Sequence, residues 1–104
     1  MKFQIFDLLA VEAEGYEKRN VNVLFENDSF KTRIIVLDAG GKIPECKMES
    51  YVMFYVVKGE VLLRKNAESS ILRENQVFIT ESALLSMETI EGVRLMGIQI
   101  KTRE

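Results

Sequence analysis

The sequence contains no histidine, only one cysteine and only one proline. Histidine is the commonest metal ligand and the usual general base near neutral pH, so both roles fall to other residues or are missing. With Cys46 as the single thiol, no disulfide forms within the chain, which fits a reducing compartment. No run of apolar residues approaches the roughly 20 that a membrane-spanning helix needs.

An excess of positive charge is also missing. The chain has 14 lysines and arginines against 16 acidic residues, for a net charge of −2, and its isoelectric point is about 5.3. Nucleic-acid-binding proteins show a basic stripe and a high isoelectric point, so nucleic acid is excluded as a partner. Asp7 interrupts the apolar residues of Met1–Val11, and no small-residue cleavage site follows, which argues against a signal peptide. We expect a cytoplasmic protein that does not bind membranes.

What the sequence does have is a repeated alternation of apolar and polar residues with a period of two, which is typical of β-strands. About nine or ten short strands are separated by turn signals, a pattern typical of a sandwich or barrel. We therefore predict one all-β domain over residues 1–104, with Lys58-Gly59 as a tight turn. The expected strands are Lys2–Phe6, Val21–Phe25, Phe30–Asp38, Ile43–Met48, Tyr51–Val57, Glu60–Lys65, Ser69–Leu72, Gln76–Thr80, Ala83–Glu88 and Val93–Lys101. A helical turn is expected within Leu8–Glu17.

The segment Tyr51–Val57 is apolar on both faces of the predicted strand. Alternate side chains of a strand face opposite sides, so Val52 and Phe54 share one face, while Tyr51, Met53 and Tyr55 share the other. If the first face lines the interior of a barrel, the second must meet another layer or another subunit. We predict a homodimer that uses Tyr51, Met53 and Tyr55. A central strand buried within a monomer is the alternative.

The stretch from Ile34 to Gln99 resembles the small single-domain cupins, which have a jelly-roll or double-stranded β-helix fold. The segment Ile35–Pro44, with its Gly40-Gly41 turn, matches the opening of the first cupin motif. Tyr51–Val61, which includes Lys58-Gly59-Glu60, matches its close. Leu72–Thr80 lies where the second motif begins. The resemblance implies a barrel whose interior holds a divalent metal in many members of the family.

The residues at the family's metal-binding positions depart from the cupin pattern. The two histidines of the first motif fall on Cys46 and Met48, and its glutamate falls on Val52. The histidine of the second motif falls on Leu85 or Ser86, depending on a register of one residue. Hard and borderline metals require nitrogen or oxygen donors. We therefore expect no metal and no other cofactor, and the metal-dependent activities of the family do not carry over.

The leading hypothesis is a non-catalytic domain that binds a small, mostly apolar organic ligand in the barrel, or that acts only through a protein surface. A pocket lined by hydrocarbon and sulfur with few polar groups favours binding over chemistry. Two arginines lie in apolar strands. We expect Arg33 to point outward. The orientation of Arg94 is left open, and an inward Arg94 could bind a carboxylate. The candidate pocket residues are Cys46, Met48, Val52, Phe54, Leu85, Ser86 and Arg94.

Two other functions stay open. Cys46 and Met48, spaced by two along a strand, supply the soft sulfur ligands that suit copper(I). A metal-independent epimerase, isomerase or lyase acting on a small carbohydrate or keto acid would need a carboxylate and a tyrosine. Its candidate residues are Glu49, Glu81, Glu88, Tyr51 and Tyr55, although no two of them are paired by their spacing.

Overall fold

Eight strands and one short 3-10 helix form the chain in a computed structural model that describes residues 2–101. The helix covers Tyr16–Asn22, and the strands are β1 (Val23–Glu26), β2 (Phe30–Leu37), β3 (Lys42–Met48), β4 (Tyr51–Lys65), β5 (Glu68–Arg73), β6 (Val77–Thr80), β7 (Ala83–Glu88) and β8 (Val93–Ile100). The all-β prediction is confirmed. No helix in this range is both long enough and apolar enough to cross a membrane.

The strands form one curled antiparallel sheet with two halves. The first half has the order β1-β2-β8-β4, with β6 on the other side of β4. The second half has β5 and β7 on either side of β4, and β3 beyond β7. The 15-residue strand β4 belongs to both halves. The inner faces of the two halves enclose the core.

Inward side chains alternate along the strands, as the period of two predicts. In β4 the buried residues Val52, Phe54 and Val56 alternate with more exposed neighbours. The same alternation gives Ile35 and Leu37 in β2. The remaining buried members of the core are Ile43, Val61, Leu63, Ala83, Leu85, Met87, Val93 and Leu95. The core therefore draws on both halves of the sheet.

The predicted turn at Lys58-Gly59 is wrong, because β4 continues through these residues without interruption. The register with β8 shifts between Val56 and Lys58, which marks a β-bulge. Gly59 has a φ of +86°, and a side chain there would overlap the carbonyl oxygen of Gly92. A bulge bends a strand and increases its twist. The bulge and the following Gly59 lie where β4 passes from one half of the sheet into the other, and the two strands predicted around Lys58-Gly59 are one.

The N-terminal residues also differ from the prediction. Lys2–Phe6 forms no strand in the structure. Within the expected range Leu8–Glu17 there is one turn, closed by a hydrogen bond from the Val11 amide to the Asp7 carbonyl oxygen at 2.8 Å, whereas the 3-10 helix covers Tyr16–Asn22. Val21 and Asn22 belong to this helix, so β1 begins at Val23. The buried Asn22 accounts for the difference. Its side-chain amide donates to the carbonyl oxygen of Glu14 and accepts from the Glu14 amide, both at 2.8 Å, so the chain folds back before the strand starts.

Candidate functional site

A cavity of about 60 Å³ lies between the two halves of the sheet. Six of the seven candidate pocket residues line it, namely Cys46, Met48, Val52, Phe54, Leu85 and Ser86. Val52 and Phe54 come from β4 in the first half of the sheet, and the other four come from β3 and β7, which pair with each other in the second half. The structure therefore places this candidate set around one cavity, which is largely but not completely filled by side chains.

The floor of the cavity is hydrocarbon. Val52 and Leu85 are 2% and 3% exposed, and Phe54 stacks on the ring of Phe78 with centroids 6.4 Å apart. Cys46 pairs with Leu85 in the ladder between β3 and β7. The alternation of buried residues in β7 places Leu85 on the inner face, with Ser86 half-buried and out of phase with it. Of the two residues that the sequence left open, Leu85 and Ser86, it is therefore Leu85 whose side chain points inward.

Two sulfur atoms lie at the edge of the cavity. The thiol of Cys46, an exposed residue, donates to the Met48 thioether, with Sγ and Sδ 3.9 Å apart. Pro44 lies just before them, where the ladder of β3 with β7 shifts its register. Because β3 ends the strand order, this proline occupies an edge strand, where the missing N–H is tolerated. The sulfur pair keeps the copper(I) alternative as a hypothesis.

The positions that the resemblance to the cupins marks as metal ligands do not fit iron, manganese, nickel or zinc here. Val52 and Leu85 offer no donor atom, and Cys46 and Met48 offer only sulfur. Within residues 2–101, no group of three or more histidine, cysteine, aspartate or glutamate side chains is placed to hold a metal ion. A stable site for these ions needs about three or four donors converging on one point, and one thiol with one thioether does not supply them.

The structure contradicts the expected outward orientation of Arg33. Arg33 and Lys31 both line the cavity, together with Gln99 of β8 and Tyr16 of the 3-10 helix. Arg33 shares its face of β2 with Ile35, which is 4% exposed and part of the core. The two-residue spacing of Arg33 from Ile35 places both on one face of the strand, which indicates that Arg33 points inward. The sequence did not resolve it, because Ile34 on the opposite face is buried as well.

Arg94, the seventh candidate pocket residue, does not line the cavity. Its guanidinium donates to the carbonyl oxygen of Leu8 at 2.7 Å and to that of Val11. Arg94 alternates with the buried Val93 and Leu95 along β8, and its side chain therefore lies on the outer face. The prediction of Arg94 as a carboxylate clamp is replaced by a structural role, in which it holds the segment around Leu8–Val11 against the outside of β8.

The positive charge beside the cavity exceeds the negative charge. The Glu26 carboxylate accepts a hydrogen bond from Lys101 at 2.9 Å and lies 4.0 Å from Lys31 Nζ. The Lys101 hydrogen bond is the main cause of a lowered pKa for the Glu26 carboxyl, and the charges of Lys101, Lys31 and Arg33 add to it. The single carboxylate of Glu26 is therefore shared by three cations, Lys101, Lys31 and Arg33.

The carboxylate and tyrosine pair that a metal-independent enzyme would need is not assembled at this cavity by the candidate residues. Tyr55 points to the outer face, where its hydroxyl donates to Asn75 Oδ1 at 2.8 Å. Glu88 forms ion pairs with Arg64 at 3.0 Å and with Lys42 at 3.9 Å. Neither Glu49 nor Glu81 lines the cavity. Tyr16 does, and it was missed because it precedes the first strand.

The predicted dimer residues lie on the outer face of the first half of the sheet. Tyr51 is 50% exposed, while Met53 and Tyr55 are half-buried. Their ladder neighbours are also apolar. Met53 lies between Ile79 and Ile98, Tyr55 lies between Val77 and Met96, and Tyr51 is next to Ile100. We call these eight side chains the outer patch. None of them is charged.

A second and wider groove of about 1,040 Å³ lies near the start of β8, and Glu88, one of the candidate residues for a metal-independent enzyme, lines it. It is lined in part by Glu60, Arg73, Glu74 and the exposed Ile90. Arg73 forms an ion pair with Glu60 at 3.5 Å, and Glu74 accepts a hydrogen bond from the Gly59 amide at 3.1 Å. These polar groups already have partners within the chain.

Solved structures share this architecture. The cupin domain of Cnp3 from Schizosaccharomyces pombe is 25% identical and superposes with a TM-score of 0.71, covering 77% of this chain and 59% of that one. A cupin superfamily protein from Desulfitobacterium hafniense DCB-2 has a TM-score of 0.76 at 12% identity, covering 91% and 87%. The protein TT1209 from Thermus thermophilus reaches 0.81 at 18% identity, covering 94% and 97%.

The sequence by itself gives no such match. No protein-family model matches it, and no curated protein does. The resemblance read from the Gly40-Gly41 turn and the apolar strand after it is nevertheless confirmed by the structural similarity. This chain therefore has the double-stranded β-helix fold of the cupins, in a sequence that contains no histidine.

Proposed function

We propose that this protein is a non-catalytic, metal-free cupin-like domain, residues 1–104, that binds a small organic molecule in the cavity between its sheet halves. The observation that carries the proposal is the cavity, whose floor is formed by Val52, Phe54 and Leu85 and whose rim carries polar groups. Ligand sites are typically apolar concave surfaces with a few polar groups that fix orientation. The lack of histidine and of metal-compatible donors favours binding over catalysis.

The size of the cavity limits the ligand. Its volume of about 60 Å³ is below the roughly 300–1,000 Å³ of pockets for drug-sized molecules. One buried water needs about 10–15 Å³ of such volume, so a molecule of about four to six non-hydrogen atoms fits. The efficiency of very small ligands limits their affinity to roughly micromolar, and millimolar is the ordinary case.

The methionines of the chain provide a direct test. Met48 and Met87 line the cavity, whereas Met53 and Met96 belong to the outer patch. Small acids, amides and alcohols of about two to four carbons, added at roughly 1–50 mM, are expected to shift the methyl resonances of Met48 and Met87. The resonances of Met53 and Met96 serve as the internal control. The measurement is a carbon–proton correlation spectrum of protein labelled at the methionine methyl groups.

A variant that narrows the cavity sharpens this test. In Gly97→Ala the added methyl lies 3.3 Å from Ile35 Cδ1 and 3.4 Å from Phe54 Cε1, so it occupies space next to the floor. We expect weaker ligand shifts in this variant. Shifts of equal size at all four methionines, or none with any probe, would rule out binding in the cavity.

A second function, as a homodimerising interaction domain, is supported by the outer patch. Exposed apolar patches on this scale mark interaction surfaces, and Ile79 and Val77 are 63% and 48% exposed. Within Lys2–Phe6, Phe3 and Ile5 are 97% and 85% exposed and alternate with polar residues. This alternation is typical of a strand, but the segment pairs with no other strand among the described residues. A two-fold axis brings identical residues together, which an uncharged patch tolerates. The proposed partner is a second copy of this chain.

Sedimentation or light scattering tests this second function. We expect twice the 12.0 kDa mass of the chain for the native protein. Met53→Glu places a charge in the middle of the outer patch and should produce monomers. Ile90→Glu is the control, since Ile90 is 88% exposed and distant from the patch in the sheet. Monomeric native protein, or equal dissociation of both variants, would contradict the proposed dimer.

We also place the protein in the cytoplasm. The support is the single thiol, Cys46, which is exposed and free. An exposed free thiol persists in a reducing compartment and is prone to oxidation elsewhere.

A further inference from the structure

We propose that the ligand of the cavity is a small organic carboxylate, whose head group is bound by Arg33 with Lys31 beside it. This inference rests on the proposed function, since it names the chemical class of the molecule that the cavity binds. Both side chains line the cavity, and both extend from β2 on the face that also carries the core residue Ile35.

The ladder shows how the site is arranged. Arg33 pairs with Gly97 of β8, which in turn pairs with Phe54 of β4. Because Gly97 has no side chain, Ile35 and the Phe54 ring pack closely over it: a Cβ at this position would lie 3.3 Å from Ile35 Cδ1 and 3.4 Å from Phe54 Cε1. Arg33 and Phe54 both line the cavity, so a ligand in the cavity would have a cation on one side and an aromatic ring on the other.

The next row of the ladder adds the remaining polar groups. Lys31 pairs with Gln99, and Gln99 pairs with Val52. The Gln99 amide offers both a donor and acceptors. The two rows together place a cationic edge along β2 and an apolar wall along β4, on two sides of the cavity. Such an edge and wall match a carboxylate with a short hydrocarbon chain.

The charges indicate why an anion is required. Arg33 has no hydrogen bond or ion pair with any side chain or carbonyl among residues 2–101. The Glu26 carboxylate already receives the Lys101 hydrogen bond at 2.9 Å and lies 4.0 Å from Lys31. A half-buried guanidinium facing an apolar cavity is costly unless an acceptor pairs with it. A carboxylate matches the two parallel donors of the guanidinium.

The volume sets the length of the ligand. Four to six non-hydrogen atoms correspond to a carboxylate with about one to three further carbons. Affinity is therefore expected to rise from acetate to butyrate, because each added methylene is buried against Val52 and Phe54. A simple surface ion site would show no such dependence on chain length.

The test compares butyrate with butyramide, which has the same shape and no charge. Butyrate is expected to bind about tenfold to a hundredfold more tightly, since hydrogen bonds to charged groups are the stronger ones. Arg33→Met is expected to remove this preference. Arg64→Met is the matched control, because Arg64 pairs with Glu88 outside the cavity. The readout is titration of the Met48 and Met87 methyl resonances, with folding checked by circular dichroism.

Each outcome has a distinct meaning. Equal affinities for butyrate and butyramide in the native protein overturn the carboxylate assignment and leave the proposed function intact. Binding of neither probe contradicts both proposals. If Arg33→Met does not fold, Arg33→Gln replaces it, and the comparison of the two probes in the native protein decides alone. Preference for butyrate that survives in a folded Arg33 variant overturns the assignment of Arg33 as the head-group residue.

Discussion

Replacing Gly59 by alanine is expected to destabilise the protein by about 2–5 kcal/mol, a large part of the roughly 5–15 kcal/mol that holds a domain together. Two effects add. A φ of +86° costs a residue with a Cβ about 1–2 kcal/mol. The methyl would also overlap the carbonyl oxygen of Gly92 and lie 3.2 Å from Val93 Cα, and this overpacking adds about 1–3 kcal/mol. Urea denaturation measures the loss.

Gly40→Ala separates these two effects. Gly40 has a similar φ of +77°, but no atom lies within 4 Å of the Cβ that alanine would add. This variant should therefore lose only the backbone component, about 1–2 kcal/mol. Equal losses in Gly40→Ala and Gly59→Ala would mean that β4 does not pass close to Gly92.

The second large effect is expected at the floor of the cavity. Phe54→Ala should cost about 3–5 kcal/mol, the range for removal of a buried phenylalanine. Phe54 is 8% exposed, and its ring stacks on Phe78. Thermal denaturation followed by circular dichroism provides the measurement. Leu84→Ala is the control in strand β7, where Leu84 is 41% exposed and belongs neither to the cavity nor to the outer patch, and it should change stability by no more than about 0.5 kcal/mol.

Phe54→Ala also enlarges the cavity that we propose as the binding site. A dry apolar space of this kind accepts a ring-sized molecule. Benzene is therefore expected to raise the melting temperature of the variant and to leave that of the native protein nearly unchanged. If the native protein were stabilised by benzene to the same degree, Phe54 would not set the size of the cavity.

Much of this fold was readable from the sequence. The period of two located most strands to within a few residues, because each strand has an inner face that must be apolar. The same alternation separated Val52 and Phe54 from Tyr51, Met53 and Tyr55, and the structure places the two sets on opposite faces. The resemblance to the cupins then supplied the topology, which alternation by itself does not determine.

The errors have physical causes. Lys58-Gly59 resembles a turn because glycine favours positive φ in turns, and a bulged bend within one long strand uses the same property. The orientations of Arg33 and Arg94 were misjudged or left open because β2 and β8 are covered on both sides. The segment held by Arg94 packs outside β8, so polarity does not identify the inner face there. Such cover by a distant segment is a tertiary contact that no local pattern contains.

The length of β4 has a consequence for how the molecule comes apart. Hydrogen bonds join this one strand to β8, β6, β5 and β7, so neither half of the sheet has a complete set of neighbours without it. Local unfolding of one half must therefore also separate β4 from its neighbours in the other half. The two halves behave as one cooperative unit, and the amides in the middle of β4 exchange with solvent only when the whole domain opens.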